Sequence, residues 1–373
     1  MYIVSTLKRS GPINVLLNIV KYLNRETFNP IILTLSPEPS DSLKDEFESI
    51  GVKVVQLNGS IKRGLLTTGF QVHTFINREK VDLIHSHGIR PDFFSIISRP
   101  GVPTVSTQHN FVYNDYPMRY GRFFGFIMAF FHTRIIKLID FPIACSKSIE
   151  ENYCKYTKNI RSIQNGVDQE LYHPVSHEEK IRLRTKLMLP LNKKIIVSVG
   201  HLSKSKDPET IIKGYVKSEL SNDSVLLFLG NGPELERCQT LSKENENIIF
   251  LGRVNNVHHY LKCADYFVSA SLAEGLPNAT LEALACGLPV ILSDIKPHLE
   301  ILDYKQIAGY VFLTKNPKSL SDVFNKLLFT NQKELSDAAE LIIKNKLNAR
   351  LMSQKYQNLY IKSYRGGEFF WRS

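Results

Sequence analysis

The chain has 373 residues, 43% of them hydrophobic and 22% charged, with a formal net charge of +11; this is ordinary globular composition and more chain than one typical core holds, so two domains are expected. No apolar run is long enough to span a membrane, no signal peptide precedes the first strand, and five cysteines without CxxC spacing read as reduced thiols of a cytosolic protein, neither zinc ligands nor disulfides. The charge asks for an anionic partner or is plain solubility charge; without a basic helix, an RNA-binding aromatic set or a helix-turn-helix pattern, nucleic acid gives way to an anionic membrane surface or a phosphorylated lipid substrate.

Through the first half, short apolar runs alternate with helical patterns. Strands are predicted at 2–6, 30–35, 52–57, 83–85, 104–107 and 141–144, and a first helix at 13–23, where Val15, Leu16, Ile19 and Val20 share a face. That alternation predicts a doubly wound parallel sheet with ligands at the carboxyl ends of its strands. The first such end, Leu7–Pro12, offers Gly11 for close backbone approach, with Lys8 and Arg9 adding charge. His85 and His87 stand at another strand end; two alternating histidines imply a metal only with further ligands, and none is evident, so they are expected to line a cleft or satisfy the loop. From Phe111 to Lys137 the chain is aromatic and nearly free of acids, with Arg119, Arg122, Arg134 and Lys137 among Phe123, Phe124, Ile127, Phe130, Phe131 and Ile135. It reads as a membrane-interface segment or as a buried helix with a basic end, and the overall charge favours the membrane.

A turn at 165–174 leaves the first domain, and the boundary is expected near residue 172. The strand 194–199 then runs into a loop carrying His201, Lys204 and Lys206. The strand 225–229 runs into Gly230-Asn-Gly ahead of a helix at 234–241, where a Rossmann-like turn belongs. The chain is organised around Ser269–Asp294, read as strand, loop, helix and strand, with Pro277 in the first helical turn and Gly287 as the stop. An ordinary crossover explains half of this; two carboxylates are left over. Glu274 lies in the loop, and Glu282 lies on a helix face with Asn278 and Cys286. Between them the free N–H groups of Asn278, Ala279 and Thr280 make an anion cradle, a set that suits a nucleotide diphosphate with a sugar on either side. Amphipathic helices follow at 317–329, 334–347 and 350–364, and the only tryptophan lies in the tail after Gly366.

The words EGLPNATLEALACGLPVI, with glutamates in E-x7-E spacing, resemble glycosyltransferase family 4, a family of retaining enzymes of the GT-B fold. The resemblance implies an α/β chain of two Rossmann-like domains facing a central cleft. Residues 1–171 would bind the acceptor, with a C-terminal helix at about 355–373 packing back on them, and residues 172–354 would bind the donor. It implies transfer of a sugar from a nucleotide sugar, with UDP as the expected carrier, to a lipid-linked or saccharide acceptor in surface polysaccharide assembly, on the cytoplasmic face of the membrane. Val105–Asn110 resembles the family's T-x-H position and gives His109 a place near the transferred sugar. The Gly11 loop, where the family often has Gly-Gly, would face the donor phosphates. The family usually has arginine then lysine where this chain has His201 and Lys206; Lys206 would hold the diphosphate, and His201 lacks a permanent charge and a bidentate fork. Arg253 and Val254 would sit at the base-binding turn. Lys206 and the helix start at Asn278–Leu281 would stabilise the leaving group, Glu282 would accept the ribose hydroxyls and Glu274 would contact the sugar. No double-displacement carboxylate pair is evident, so front-face attack is expected, without metal or other cofactor. The alternatives are a non-hydrolysing UDP-sugar epimerase on the same fold and a non-catalytic sugar-nucleotide-binding subunit.

Overall fold

The computed structural model describes residues 1–57, 64–99 and 101–365; the tail carrying Trp371 lies outside them. The chain divides into two compact units, residues 1–165 together with 349 onward, and residues 166–348. These divisions compare with the expected boundary at 172 and return at about 355.

The first unit holds β1 (Tyr2–Val4), β2 (Ile31–Thr34), β3 (Lys53–Gln56), β4 (Ile84–Ser86), β5 (Thr104–Gln108), β6 (Phe141–Ala144) and β7 (Arg161–Ser162). They form a parallel sheet in the order β3-β2-β1-β4-β5-β6-β7. Successive side chains of a strand point to opposite faces: Tyr2 and Val4 enter one apolar layer and Ile3 the other. In the first layer, Leu16, Ile19 and Val20 of the helix Gly11–Lys21 meet Met352, Tyr356 and Leu359 of the helix Ala349–Tyr364. The predicted helix thus begins two residues earlier than its apolar pattern, because Pro12 fits the first turn.

The second unit holds β8 (Lys194–Val199), β9 (Ser224–Leu229), β10 (Ile248–Phe250), β11 (Tyr266–Ser269), β12 (Val290–Ser293) and β13 (Gly309–Phe312), in the order β10-β9-β8-β11-β12-β13. Each sheet therefore reverses its winding once, between β1 and β4 in one unit and between β8 and β11 in the other. Loops leaving the carboxyl ends of strands at such a switch point diverge, and ligands bind in the opening.

The aromatic segment is a helical hairpin, Val112–Tyr120 and Arg122–Ile136, rather than one helix. Gly125 makes the hairpin possible, because a Cβ there would lie 2.5 Å from the Pro117 backbone. The buried face of the second helix is Gly125, Ala129, His132, Thr133 and Ile136, while Phe123 is 72% exposed and Phe131 60%. One face of the second helix is interior, and the phenylalanines point away from it.

Candidate active site

In the second unit, three strand ends are stitched together through backbone. Gly200 N–H donates to Leu229 O at 3.0 Å, Leu202 N–H to Asn231 O at 3.0 Å, and Gly230 N–H to Gly252 O at 2.7 Å. Gly230 has φ +149°, and a Cβ there would sit 1.8 Å from Gly200 O. The glycine of the expected Rossmann-like turn is thus already required by packing against the neighbouring loop. His201 and Arg253 are exposed on these turns and Val254 is half-buried.

On the other side of the switch point, Leu272 N–H donates to Ser205 O at 2.8 Å, tying the loop after β11 to the loop after β8. This brings Lys206 to Glu274, and the two side chains form an ion pair. Sequence reasoning had assigned Lys206 to a diphosphate and Glu274 to a sugar; here each is the other's partner. Ser271 Oγ donates a second hydrogen bond to the same carboxylate oxygen at 2.7 Å. Burial alone would raise the Glu274 carboxyl, but the Lys206 ammonium and these hydrogen bonds outweigh it and hold it below its usual value.

The helix Asn278–Ala285 starts one residue later than expected, with Pro277 at the cap and Gly287 (φ +73°) just beyond the end. The Thr280 and Leu281 N–H groups both donate to Pro277 O, at 3.1 and 3.2 Å. The Thr280 N–H expected in the cradle is therefore spent inside the helix, because a tight first turn closes on the proline carbonyl. Glu282 is half-buried on this helix. Burial pushes its carboxyl up to about 7 against a hydrogen bond from Tyr172 that lowers it. Glu282 also raises the Cys286 thiol, beyond what burial does, which fits the shared helix face.

In the first unit, the Gly11 loop is pinned to the segment 38–46. Leu7 N–H donates to the Glu38 carboxylate at 2.9 Å, and Arg9 pairs with Glu46 at 2.7 Å. The charge expected from Arg9 is thus neutralised locally. Beside this loop, the ends of β4 and β5 bring three histidines together. His85 is a core residue, with Nδ1 on Tyr360 OH at 2.7 Å and Nε2 on Thr107 Oγ1 at 2.8 Å. His87 Nδ1 faces His109 Nε2 at 2.8 Å. Burial lowers His109 to about 4, partly opposed by Asp92, so the ring is neutral at physiological pH. Among the described residues no group of three or more His, Cys, Asp or Glu is arranged to hold a metal.

Two features escaped sequence reasoning. Asp92, fully buried, accepts from Ser86 Oγ (2.6 Å), Ser106 Oγ (2.7 Å) and Gln108 Nε2 (3.2 Å), and it bonds His132 Nε2 at 2.8 Å. It anchors the aromatic hairpin to the strand ends that carry His87 and His109. The second is His298, buried after β12 and close enough to Glu274 and Lys206 to interact with both charges. The only signal for it was its place just past a strand's carboxyl end.

Residues 10–171 match the family described as Glycosyltransferase Family 4, and residues 179–356 match Glycosyl transferases group 1. The chain is 28% identical over 375 residues to the O-antigen biosynthesis glycosyltransferase WclY of Escherichia coli, covering 98% of each chain. It is 28% identical over 301 residues to the Escherichia coli UDP-Gal:alpha-D-GlcNAc-diphosphoundecaprenol alpha-1,3-galactosyltransferase, covering 77% of this chain and 76% of that one. Among solved structures, a glycosyltransferase from Rickettsia africae ESF-5 superposes with a TM-score of 0.78 at 18% identity, covering 98% of both chains. Anabaena Alr3699/HepE in complex with UDP and glucose superposes with a TM-score of 0.81 at 17% identity, covering 97% of this chain and 98% of that one.

Proposed function

The chain belongs to glycosyltransferase family 4 and has the GT-B fold of two Rossmann-like domains, and on that premise we propose that this glycosyltransferase moves a hexose from a UDP-sugar, with retention, to a lipid-linked saccharide in surface polysaccharide assembly. The observation that carries the reading is the Lys206–Glu274 pair across the β8/β11 switch point, followed on the next helix by Glu282. Relatives whose names specify O-antigen synthesis and a diphosphoundecaprenol acceptor support the acceptor class, and a like-folded protein bound to UDP and glucose supports the donor.

In this account the second unit binds the donor and the first binds the acceptor. The entering diphosphate draws Lys206 from Glu274 and shares its charge with the N–H groups of Asn278 and Ala279. Glu274, released, accepts hydroxyls of the sugar, and Glu282 accepts those of the ribose. His201 donates a ring N–H, and the backbone at Arg253 and Val254 meets the base. His109, neutral, bonds a hydroxyl from the acceptor side. The acceptor oxygen bonds the anomeric carbon on the face the diphosphate leaves, and its proton passes to the departing phosphate oxygen. Fixed cations and N–H dipoles supply the leaving-group stabilisation, so the reaction is proposed to need no metal.

The exposed phenylalanines of the hairpin, with Arg122, Arg134 and Lys137 beside them, are proposed to rest in an anionic membrane on its cytoplasmic face, where the lipid-linked acceptor lies. Among the described residues no helix is long and apolar enough to cross a membrane. Incubation with UDP-galactose or UDP-glucose and a synthetic diphospholipid-linked N-acetylglucosamine tests the reaction. Proton NMR should show a new α-linkage from the α-configured donor; a β-linked product refutes retention, and an epimerised nucleotide sugar without transfer refutes the reaction itself.

A further inference from the structure

We propose that His298 is a specificity-determining residue, its Nε2 accepting a hydrogen bond from a hydroxyl of the donor's sugar. The proposal rests on the donor reading above and adds a residue to it. His298 is 0% exposed in the first turn of the helix Lys296–Leu302. Its Nδ1 lies 3.0 Å from Ser293 O and 3.1 Å from Ser293 Oγ. The Ser293 hydroxyl hydrogen is used elsewhere, donated to Ser271 O at 2.7 Å. Nδ1 therefore faces two acceptors and must carry the ring hydrogen. That fixes the tautomer and leaves Nε2 as a bare lone pair.

Nε2 is buried and has no hydrogen-bond partner among the described residues. An unmet buried acceptor is costly, and such a group in a native fold calls for an explanation. Through Ser293 and Ser271 the ring is fixed to the segment that holds Glu274, since Ser271 Oγ also donates to that carboxylate. The missing partner must be a donor. A diphosphate offers only acceptors at neutral pH, and the Lys206 ammonium is turned to Glu274 or, with the donor in place, to the diphosphate. A sugar bearing several hydroxyls supplies what is missing, one for the Glu274 carboxylate and one for the imidazole.

The test uses titration calorimetry on the full chain with UDP and with UDP-glucose and UDP-galactose. Two variants separate the ring's two nitrogens: H298N keeps an amide N–H near the Nδ1 position, and H298Q places an amide oxygen near Nε2. Thermal melting confirms that both fold. The expected result is that H298N lowers the UDP-sugar affinity relative to UDP about fivefold, the worth of one ordinary hydrogen bond, while H298Q recovers part of it. A UDP-sugar carrying fluorine in place of the contacted hydroxyl cannot donate; it should bind the wild type worse than its parent does, and H298N equally well. Equal losses for UDP and UDP-sugar in both variants would show that the ring merely braces the loop, and no loss in H298N would show that Nε2 meets no ligand; either overturns the proposal. A wild type that binds neither UDP nor any nucleotide sugar overturns the donor reading itself, a result distinct from both.

Discussion

Glu282 offers the sharpest test of the donor site, because its protonation and its proposed role pull in opposite directions. A carboxyl raised to about 7 by burial is half neutral near pH 7, whereas accepting two ribose hydroxyls calls for the carboxylate. If only the ionised form binds, the apparent dissociation constant of a UDP-sugar should rise about tenfold from pH 8 to pH 6, following the ionised fraction of a group titrating near 7. A UDP-sugar suits the assay because its diphosphate has no group titrating in that range. Replacing Glu282 with Gln removes the titration and leaves a poorer acceptor. Hydrogen bonds to charged groups contribute about 1.5–3 kcal/mol, so E282Q should bind about 10-fold to 150-fold more weakly at pH 8 and show a flat pH profile. Calorimetry at pH 6, 7 and 8 on both proteins decides the matter. An unchanged slope in E282Q would assign the titration to another group, and affinity within twofold of wild type would make Glu282 a helix residue only. The sign extends to stability: a folded-state value above the unfolded one favours the fold at low pH, and that contribution is lost as pH rises from the usual glutamate range through about 7.

Transfer should persist in excess EDTA, and K206A should lower kcat more than it raises the donor KM, since the leaving diphosphate gains charge in the transition state; activity abolished by EDTA and restored by magnesium would refute the account. Asp265 bonds Arg184 at 2.7 Å and Ile195 N–H at 2.7 Å, inside the second unit. D265A should therefore cost about 3–5 kcal/mol in urea unfolding at pH 7, the price of leaving a buried charge unpaired. Burial opposes its ionisation, but Lys180 and Arg184 hold it below the usual aspartate value, so this stability is full above that value and fades as pH falls through the folded one. Replacing Arg119, Arg122 and Arg134 with Gln should release the chain from anionic vesicles, by about 1 kcal/mol for each charge facing lipid. Arg119 already pairs with Asp115 at 3.0 Å and should count least; unchanged co-sedimentation of the triple variant would refute membrane docking.

What the sequence made legible, and what it did not, follows from the range of the interactions. Strand positions were readable because runs such as 194–199 and 225–229 need both faces buried, and their β-branched and leucine content says so locally. Lys206 and Glu274 were readable one at a time from motif context. Their pairing was not, because 68 residues separate them and only the order β8-β11 sets their loops side by side. Asp92 lies four residues into a helix start and reads as a surface acid until β4, β5 and His132 supply its donors. The buried face of the aromatic hairpin was unreadable for a different reason. Hydrophobic periodicity assumes that the largest apolar side chains mark the buried face, but here close packing selects Gly125 and Ala129 for the inside and leaves the phenylalanines out. A helix whose small residues face the core and whose large ones face away gains little from burial in its own fold. Its aromatic surface is then a reason to propose an apolar partner outside it, and the arginines at its margins are the reason the proposal makes that partner anionic.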